Sequence, residues 1–310
     1  MNTSHHTRLK LLLSTPSHAA ALIMGFIATT LWASSFVLVK MALPHMGPLT
    51  IGGLRYFLGF LILLPFLRSR RRRQAPRHRP WLLLVAIGLS AYTLGNGASF
   101  WALEYLSATA ASFAISTVPL FMLVIGALRL AEIPTRRQIF GVFLGLLGGL
   151  LFFSPGFAAQ EALGLAILAV GLVGFILFGA LGREVAREKN VGTVALTAFP
   201  LAFGGGGLLL LALPLEGLPV APLGPWLIIL WLAVVNTALA YILYNHALQT
   251  LTALEMSVML NLSPIGTALL AWLLLGERLT VLQGLGIVVI VIAAVLVQHV
   301  RASAAAKPPL

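Results

Sequence analysis

Apolar residues along this chain fall into ten continuous runs divided by short polar stretches. The runs cover roughly 19–40, 49–67, 81–103, 106–128, 137–154, 163–182, 192–213, 225–247, 252–275 and 280–298. A helix needs about 20 mostly apolar residues to cross a bilayer, and these runs are near that length. None alternates polar with apolar in the manner of a barrel strand. Backbone groups in hydrocarbon must pair within their own segment, so each run reads as a helix. The pattern predicts an all-α integral membrane protein with ten transmembrane helices and the lipid bilayer as a partner.

The carboxyl half repeats part of the amino half. With a shift of 145 residues, Pro119 falls on Pro264, Glu132 on Glu277, Thr135 on Thr280, Gln138 on Gln283 and Gly141 on Gly286. Five is an odd number of crossings, so the second copy must enter from the side where the first one left. Two inverted five-helix repeats are therefore expected, an arrangement found in secondary transporters. The divisions are 1–18, an amino-terminal segment; 19–155, the first repeat; 163–298, the second; and 299–310, a tail. Thr135 with Gln138, and Thr280 with Gln283, have the spacing of capping boxes that open the fifth and tenth helices. Pro119 and Pro264 lie within the fourth and ninth runs. Each removes a backbone donor, and a packing kink and a hinge both fit. Gly141, Gly145 and Gly149 recur every four residues and suit close helix approach. The run Gly204 to Gly207 predicts packing or a bendable point in the seventh helix.

Composition agrees with the membrane reading: 59% of residues are hydrophobic and 9% charged, against about 25% charged in soluble domains. The net charge of +12 would suggest nucleic acid if the charges were spread over a surface. They are not. With the amino terminus in the cytoplasm, every Lys and Arg except Lys40, Arg55 and Arg278 falls on the cytoplasmic side, including seven arginines between Arg68 and Arg79. That asymmetry sets topology and predicts both termini in the cytoplasm. No nucleic-acid partner is implied. The chain has no cysteine, so it has neither a disulfide frame nor a thiolate metal site.

The stretch Trp32-Ala33-Ser34-Ser35-Phe36 ending in Lys40, the Leu54-Arg55-Tyr56 opening of the second helix and the two Glu-x-x-Thr-x-x-Gln loops have a familiar combination. Over residues 19–298 the chain resembles the EamA family of the drug/metabolite transporter superfamily, and within it most resembles the YddG-type amino-acid exporters of bacterial inner membranes. The resemblance implies two repeats around a central cavity bordered by helices 3, 4, 8 and 9. It also implies export of small metabolites by alternating access across a bacterial cell inner membrane. Monomer and homodimer are both compatible with it.

Polar and aromatic side chains at membrane depth on those four helices are the candidate substrate-binding residues. They are Tyr92, Asn96, Trp101, Ser116, Thr117, Asn236, Tyr241, Tyr244, Asn245, Asn261 and Ser263. An amide facing lipid is costly, so the asparagines should face protein or a wet cavity, and structural helix–helix bonding is the alternative role for each. Tyr92 with Asn96, and Tyr241 with Asn245, stand four residues apart and would present a ring and an amide on one helix face. Trp101 and Tyr244 also suit interfacial anchoring. Lys40, Arg55 and Glu104 should lie toward the outer face. Glu104 is expected either to pair with one of the two cations in an outward-closed state, or to leave a cation free to attract a substrate carboxylate; snorkelling to headgroups is the alternative for Lys40. Glu255 and His246 could form a proton site, although Glu255 also suits the first turn of its helix.

These features point to a transporter of small amphipathic metabolites, with aromatic or other apolar amino acids as the leading class. A drug, nucleotide sugar or phosphorylated metabolite is the alternative. Phosphate would call for several Lys or Arg inside helices 3, 4, 8 and 9, and their interiors carry none. An intramembrane enzyme would need a nucleophile–base pair or metal cluster, and no such motif is present. No filter-like loop or charged ring suggests a channel. No catalytic residue, metal or cofactor is expected.

Overall fold

The computed structural model describes residues 16–70, 81–123, 135–154, 156, 158–187, 193–251 and 253–305. Glu132 and most of the arginine cluster lie outside them. All regular structure among the described residues is helical. We label the helices α1 (His18–Ala42), α2 (Pro48–Arg70), α3 (Trp81–Ala102), α4 (Ala108–Leu123), α5 (Arg136–Phe153), α6 (Ala159–Arg187), α7 (Thr193–Glu216) and α8 (Leu223–Ala247). Then follow α9, in two pieces (Ala253–Leu260 and Ser263–Leu275), and α10 (Val281–Ala305). Among the described residues, seven helices, α1–α3 and α5–α8, are long and apolar enough to cross a membrane by length and composition.

Local chemistry explains the ends. Ser17 caps α1 by accepting from Ala20 N–H, and Ser107 caps α4 by accepting from Ala110 N–H. Thr135 and Gln138 form the expected reciprocal capping box on α5. The same pair of bonds opens α10, from Thr280 N–H to Gln283 and from Gln283 N–H to Thr280. Gly276 ends α9 with φ of 69°, a left-handed value that glycine adopts without strain.

The shift of 145 also relates irregularities that composition does not reveal. A π-helical stretch begins at Leu89 in α3 and another at Val234 in α8. A turn interrupts α4 at Ser116 and Thr117, and α9 at Asn261 and Leu262. Pro119 and Pro264 therefore do not kink continuous helices. Each lies in the first turn of a new helical piece, where a missing N–H leaves no intrahelical bond unmade.

The two halves are interlocked. α3 packs against α6 and α7, and α8 packs reciprocally against α1 and α2. α5 lies along α10, and α2 lies along α7. In the α5–α10 seam the close-approach ridge is Gly141, Gly145 and Gly148 rather than Gly149. A Cβ on Gly148 would lie 3.0 Å from the Ile290 backbone N, while one on Gly149 would meet nothing within 4 Å. The reason is that the ridge follows a helical face of period 3.6, not a strict four-residue step. The glycine run in α7 makes no break: Gly204 faces Gly88 and Tyr92 of α3, Gly205 faces Tyr56 and Phe57 of α2, and the helix continues through both.

Candidate functional site

Polar side chains converge where α1, α2, α3 and α8 meet. Arg55 of α2 is 4% exposed. Its Nε donates to Thr237 Oγ1 at 3.0 Å, and its Nη2 donates to Ser35 Oγ at 3.1 Å and to the Asn236 carbonyl at 3.4 Å. Its guanidinium carbon lies 5.1 Å from the Tyr56 ring centre and 5.8 Å from that of Phe100. Every one of these partners is uncharged, and no carboxylate among the described residues pairs with it. An ionised side chain inside a membrane bundle is costly and calls for a functional explanation.

Asn236 is fully buried beside it. Its Nδ2 donates to Ser34 Oγ at 2.8 Å, to Ser35 Oγ at 3.1 Å and to the Leu31 carbonyl. The Trp32 Nε1 donates to the Asn236 carbonyl at 3.0 Å. The Trp32 ring lies 5.2 Å, centre to centre, from both Tyr241 and Tyr244. Tyr92 donates its hydroxyl proton to Tyr241 at 2.8 Å, and its ring lies 4.7 Å from that of Tyr56. The cluster is thus a buried cation and an amide walled by aromatic rings, next to both π-helical stretches. Such stretches widen a helix locally and recur at functional sites.

Of the expected site residues, Arg55, Tyr92, Asn236, Tyr241 and Tyr244 come together here. Arg55 is buried inside the bundle, about two turns from the Pro48 start of α2, and bonds to α1 and α8. Several others bond elsewhere. Asn96 Nδ2 donates to the Ala91 carbonyl at 2.8 Å and so serves its own π-turn. Ser116 and Thr117 donate to the carbonyls of Phe113 and Ala114 at the break in α4. Asn245 donates to Thr197 Oγ1 of α7 at 3.1 Å, so it diverges from Tyr241 despite the four-residue spacing. Trp101 is exposed at the end of α3. Asn261 is buried at the break in α9 and Ser263 starts its second piece. Sequence reasoning missed Trp32, Ser34, Ser35 and Tyr56, which lie on α1 and α2, outside the four helices taken to border the cavity, and Thr237 of α8, whose hydroxyl could equally bond its own preceding turn. The Trp-Ala-Ser-Ser run of α1 was the available signal.

A second group of charges closes the end of the bundle where α1, α3, α7 and α9 terminate. Glu277 accepts from Ala108 N–H at 2.7 Å, Thr109 N–H at 3.2 Å and Thr109 Oγ1 at 2.8 Å. Glu216 accepts from Leu49 and Thr50 N–H, each at 2.8 Å. Each carboxylate thus satisfies free donors at another helix's N-terminus, where the helix dipole also favours negative charge. Lys40 Nζ donates to the Leu103 carbonyl at 2.7 Å and to the Leu106 carbonyl. No ion pair joins Glu104 to Lys40 or Arg55 among the described residues. The backbone carbonyls of the α3–α4 turn take that place for Lys40, and Arg55 is engaged inside the bundle. Partial burial, and then the neighbouring Glu216 charge, push the Glu104 carboxyl up from its ordinary range. Nearby, Thr267 Oγ1 of α9 donates to the Ala33 carbonyl of α1 at 3.0 Å and meets Ser112 Oγ of α4 at 3.1 Å. At the opposite end Glu255 lies 3.4 Å from His18.

The reciprocal packing of two halves around a buried polar cluster accords with a family match. Residues 19–154 and 160–298 each match the EamA-like transporter family. The chain belongs to that family. It is 28% identical over 254 residues to an uncharacterized transporter of Archaeoglobus fulgidus, covering 80% of this chain and 86% of that one. It is 27% identical to the uncharacterized inner membrane transporter YedA of Escherichia coli, covering 91% and 92%. It is 26% identical to an S-adenosylmethionine/S-adenosylhomocysteine transporter of Chlamydia trachomatis, covering 83% and 82%. A crystal structure with a TM-score of 0.66 and 19% identity covers 92% of this chain and 99% of that one, and shows the fold. This EamA-family protein is therefore a multi-pass membrane transporter.

Proposed function

We propose that this EamA-family transporter exports small amphipathic metabolites, with aromatic or other apolar amino acids as the class, by alternating access. Two inverted five-helix repeats would cross the bilayer ten times, with both termini in the cytoplasm of a bacterium and the Glu277 end outside. The reciprocal packing of α3 and α8 on the opposite half supports that symmetry. The substrate reading rests on one observation, the buried Arg55 that meets only uncharged acceptors inside an aromatic wall. A carboxylate would give that guanidinium its opposite charge, and the rings of Trp32, Tyr241 and Tyr244 would take an apolar side chain. The Glu277, Glu216 and Lys40 contacts would seal the outer end in the state described here. The breaks before Pro119 and Pro264 would serve as hinges.

A second reading is a larger ligand. The Chlamydia relative's name gives S-adenosylmethionine and S-adenosylhomocysteine, both of which are amino acids bearing an extended group. Uptake into vesicles with and without a pH gradient tests both readings, using labelled amino acids, S-adenosylmethionine, nucleotide sugars and cationic drugs. Movement of aromatic amino acids supports the first reading. Movement of S-adenosylmethionine alone supports the second, and movement of no amino acid of either kind refutes both.

A further inference from the structure

Asn236 Oδ1 is the one buried side-chain polar atom without a hydrogen-bond partner among the described residues. We propose that it receives the amino group of the substrate while Arg55 Nη1 receives the carboxylate, so that the site selects free α-amino acids over analogues lacking either group. The inference rests on the amino-acid reading above and adds what discriminates within it.

The amide orientation is fixed by its surroundings. Nδ2 points at the Leu31 carbonyl, which can only accept, and at Ser34 and Ser35. Reversing the amide would set Oδ1 against that carbonyl. Oδ1 is therefore an acceptor held in place by the contacts of the other end of its own amide, whose two protons are shared among three acceptors. The residue is 0% exposed. An acceptor left unpaired at such depth is costly, and a donor brought by a ligand would remove that cost.

Arg55 provides the complementary half. Its Nε and Nη2 are engaged, and Nη1 has no acceptor among the described residues. The two residues are joined through one atom: Ser35 Oγ lies 3.1 Å from Arg55 Nη2 and 3.1 Å from Asn236 Nδ2. A free guanidinium edge and a free acceptor thus flank a single serine. Thr237, the next residue of the same π-stretch, holds Arg55 Nε and keeps the two in register. Trp32, Tyr241 and Tyr244 are half-buried, and the Trp32 ring packs on both tyrosine rings beside the cluster. A carboxylate alone would neutralise Arg55 and leave Oδ1 unpaired. An amine alone would satisfy Oδ1 and place a second cation beside Arg55. A zwitterion satisfies both groups, and sites built around such buried polar groups strongly reject ligands that leave one unpaired.

The test is competition against labelled phenylalanine counterflow in vesicles containing the intact protein. Competitors are unlabelled phenylalanine, 3-phenylpropionate, which lacks the amine, and phenylethylamine, which lacks the carboxylate. Phenylalanine is expected to compete at least about tenfold better than either analogue. Asn236→Leu is expected to narrow the gap between phenylalanine and 3-phenylpropionate by about tenfold, and Arg55→Gln to narrow the gap to phenylethylamine. Equal competition by 3-phenylpropionate in the unaltered protein overturns the proposal, even if Asn236→Leu fails to fold. So does a folded Asn236→Leu protein that keeps the full preference. If no amino acid moves at all, the underlying amino-acid reading fails with it, and that outcome is separable because counterflow itself is then absent.

Discussion

The hydroxyl of Tyr92 donates to the hydroxyl of Tyr241 at 2.8 Å, joining the π-helical stretch of α3 to the first turn after that of α8. Tyr92 is buried and belongs to the amino half; Tyr241 belongs to the carboxyl half. The bond is thus a direct polar link between the halves beside Arg55. Tyr241→Phe leaves the Tyr92 hydroxyl without its acceptor and should cost about 1–3 kcal/mol, while the double Phe variant should recover part of that loss. Unfolding of the four proteins in detergent measures the coupling; strictly additive losses would mean that the bond contributes nothing.

Arg55→Gln should separate stability from function. A buried cation without a counter-charge destabilises the bundle that holds it, so neutralisation should leave thermal stability unchanged or raised. Transport should fall about 10–100-fold, the loss expected for one charged hydrogen bond. Parallel loss of stability and transport would instead make Arg55 a structural clamp for Ser35 and Thr237.

The carboxylate straps of Glu277 and Glu216 should control opening of their end of the bundle. The chain contains no cysteine, so Ser112→Cys provides a single reporter between α4 and α9. Glu277→Gln weakens the bonds to Ala108 and Thr109 and should raise the rate of labelling by a water-soluble thiol reagent about tenfold. An unchanged rate would show that the strap does not limit opening.

Gly148 and Gly149 provide an internal control for the α5–α10 seam. A side chain on Gly148 runs into the backbone of Ile290 and Gly286, so Gly148→Leu should destabilise by about 1–3 kcal/mol. Gly149 faces open space, and Gly149→Leu should stay within about 0.5 kcal/mol. Denaturation midpoints in matched detergent compare the two; equal losses would contradict the assigned ridge.

Glu104 should make closure of the same end pH-dependent. Its carboxyl is raised by partial burial and by the Glu216 charge, so the packed state holds its proton more tightly than the open chain does. Closure is therefore favoured as pH falls from neutral toward the ordinary carboxylate range, and weakened as pH rises through the raised value. Labelling of the Ser112→Cys reporter should slow over that descent, and the slope should diminish in Glu104→Gln. A slope unaffected by the substitution would assign the effect to another group.

The sequence by itself determined the membrane class, the helices and the register of the repeat. These depend on local quantities: apolar length for a span, and three-residue spacing for the capping boxes at Thr135 and Thr280. The same register located the matched prolines, although not their setting, because a broken helix and a kinked one have the same composition. The site was half legible. Tyr92, Asn236 and Tyr241 stood out as polar or aromatic groups at membrane depth. Ser35 and Thr237 did not, because a serine or threonine within an apolar helix can always bond its own preceding turn. Only tertiary packing decided that both would turn to Arg55, from helices 20 and 182 residues away. It also decided that Glu104 would leave Lys40 to the carbonyls of Leu103 and Leu106. A charge's partner is set by distances of about 3 Å across helix interfaces, and no periodicity along one chain encodes them.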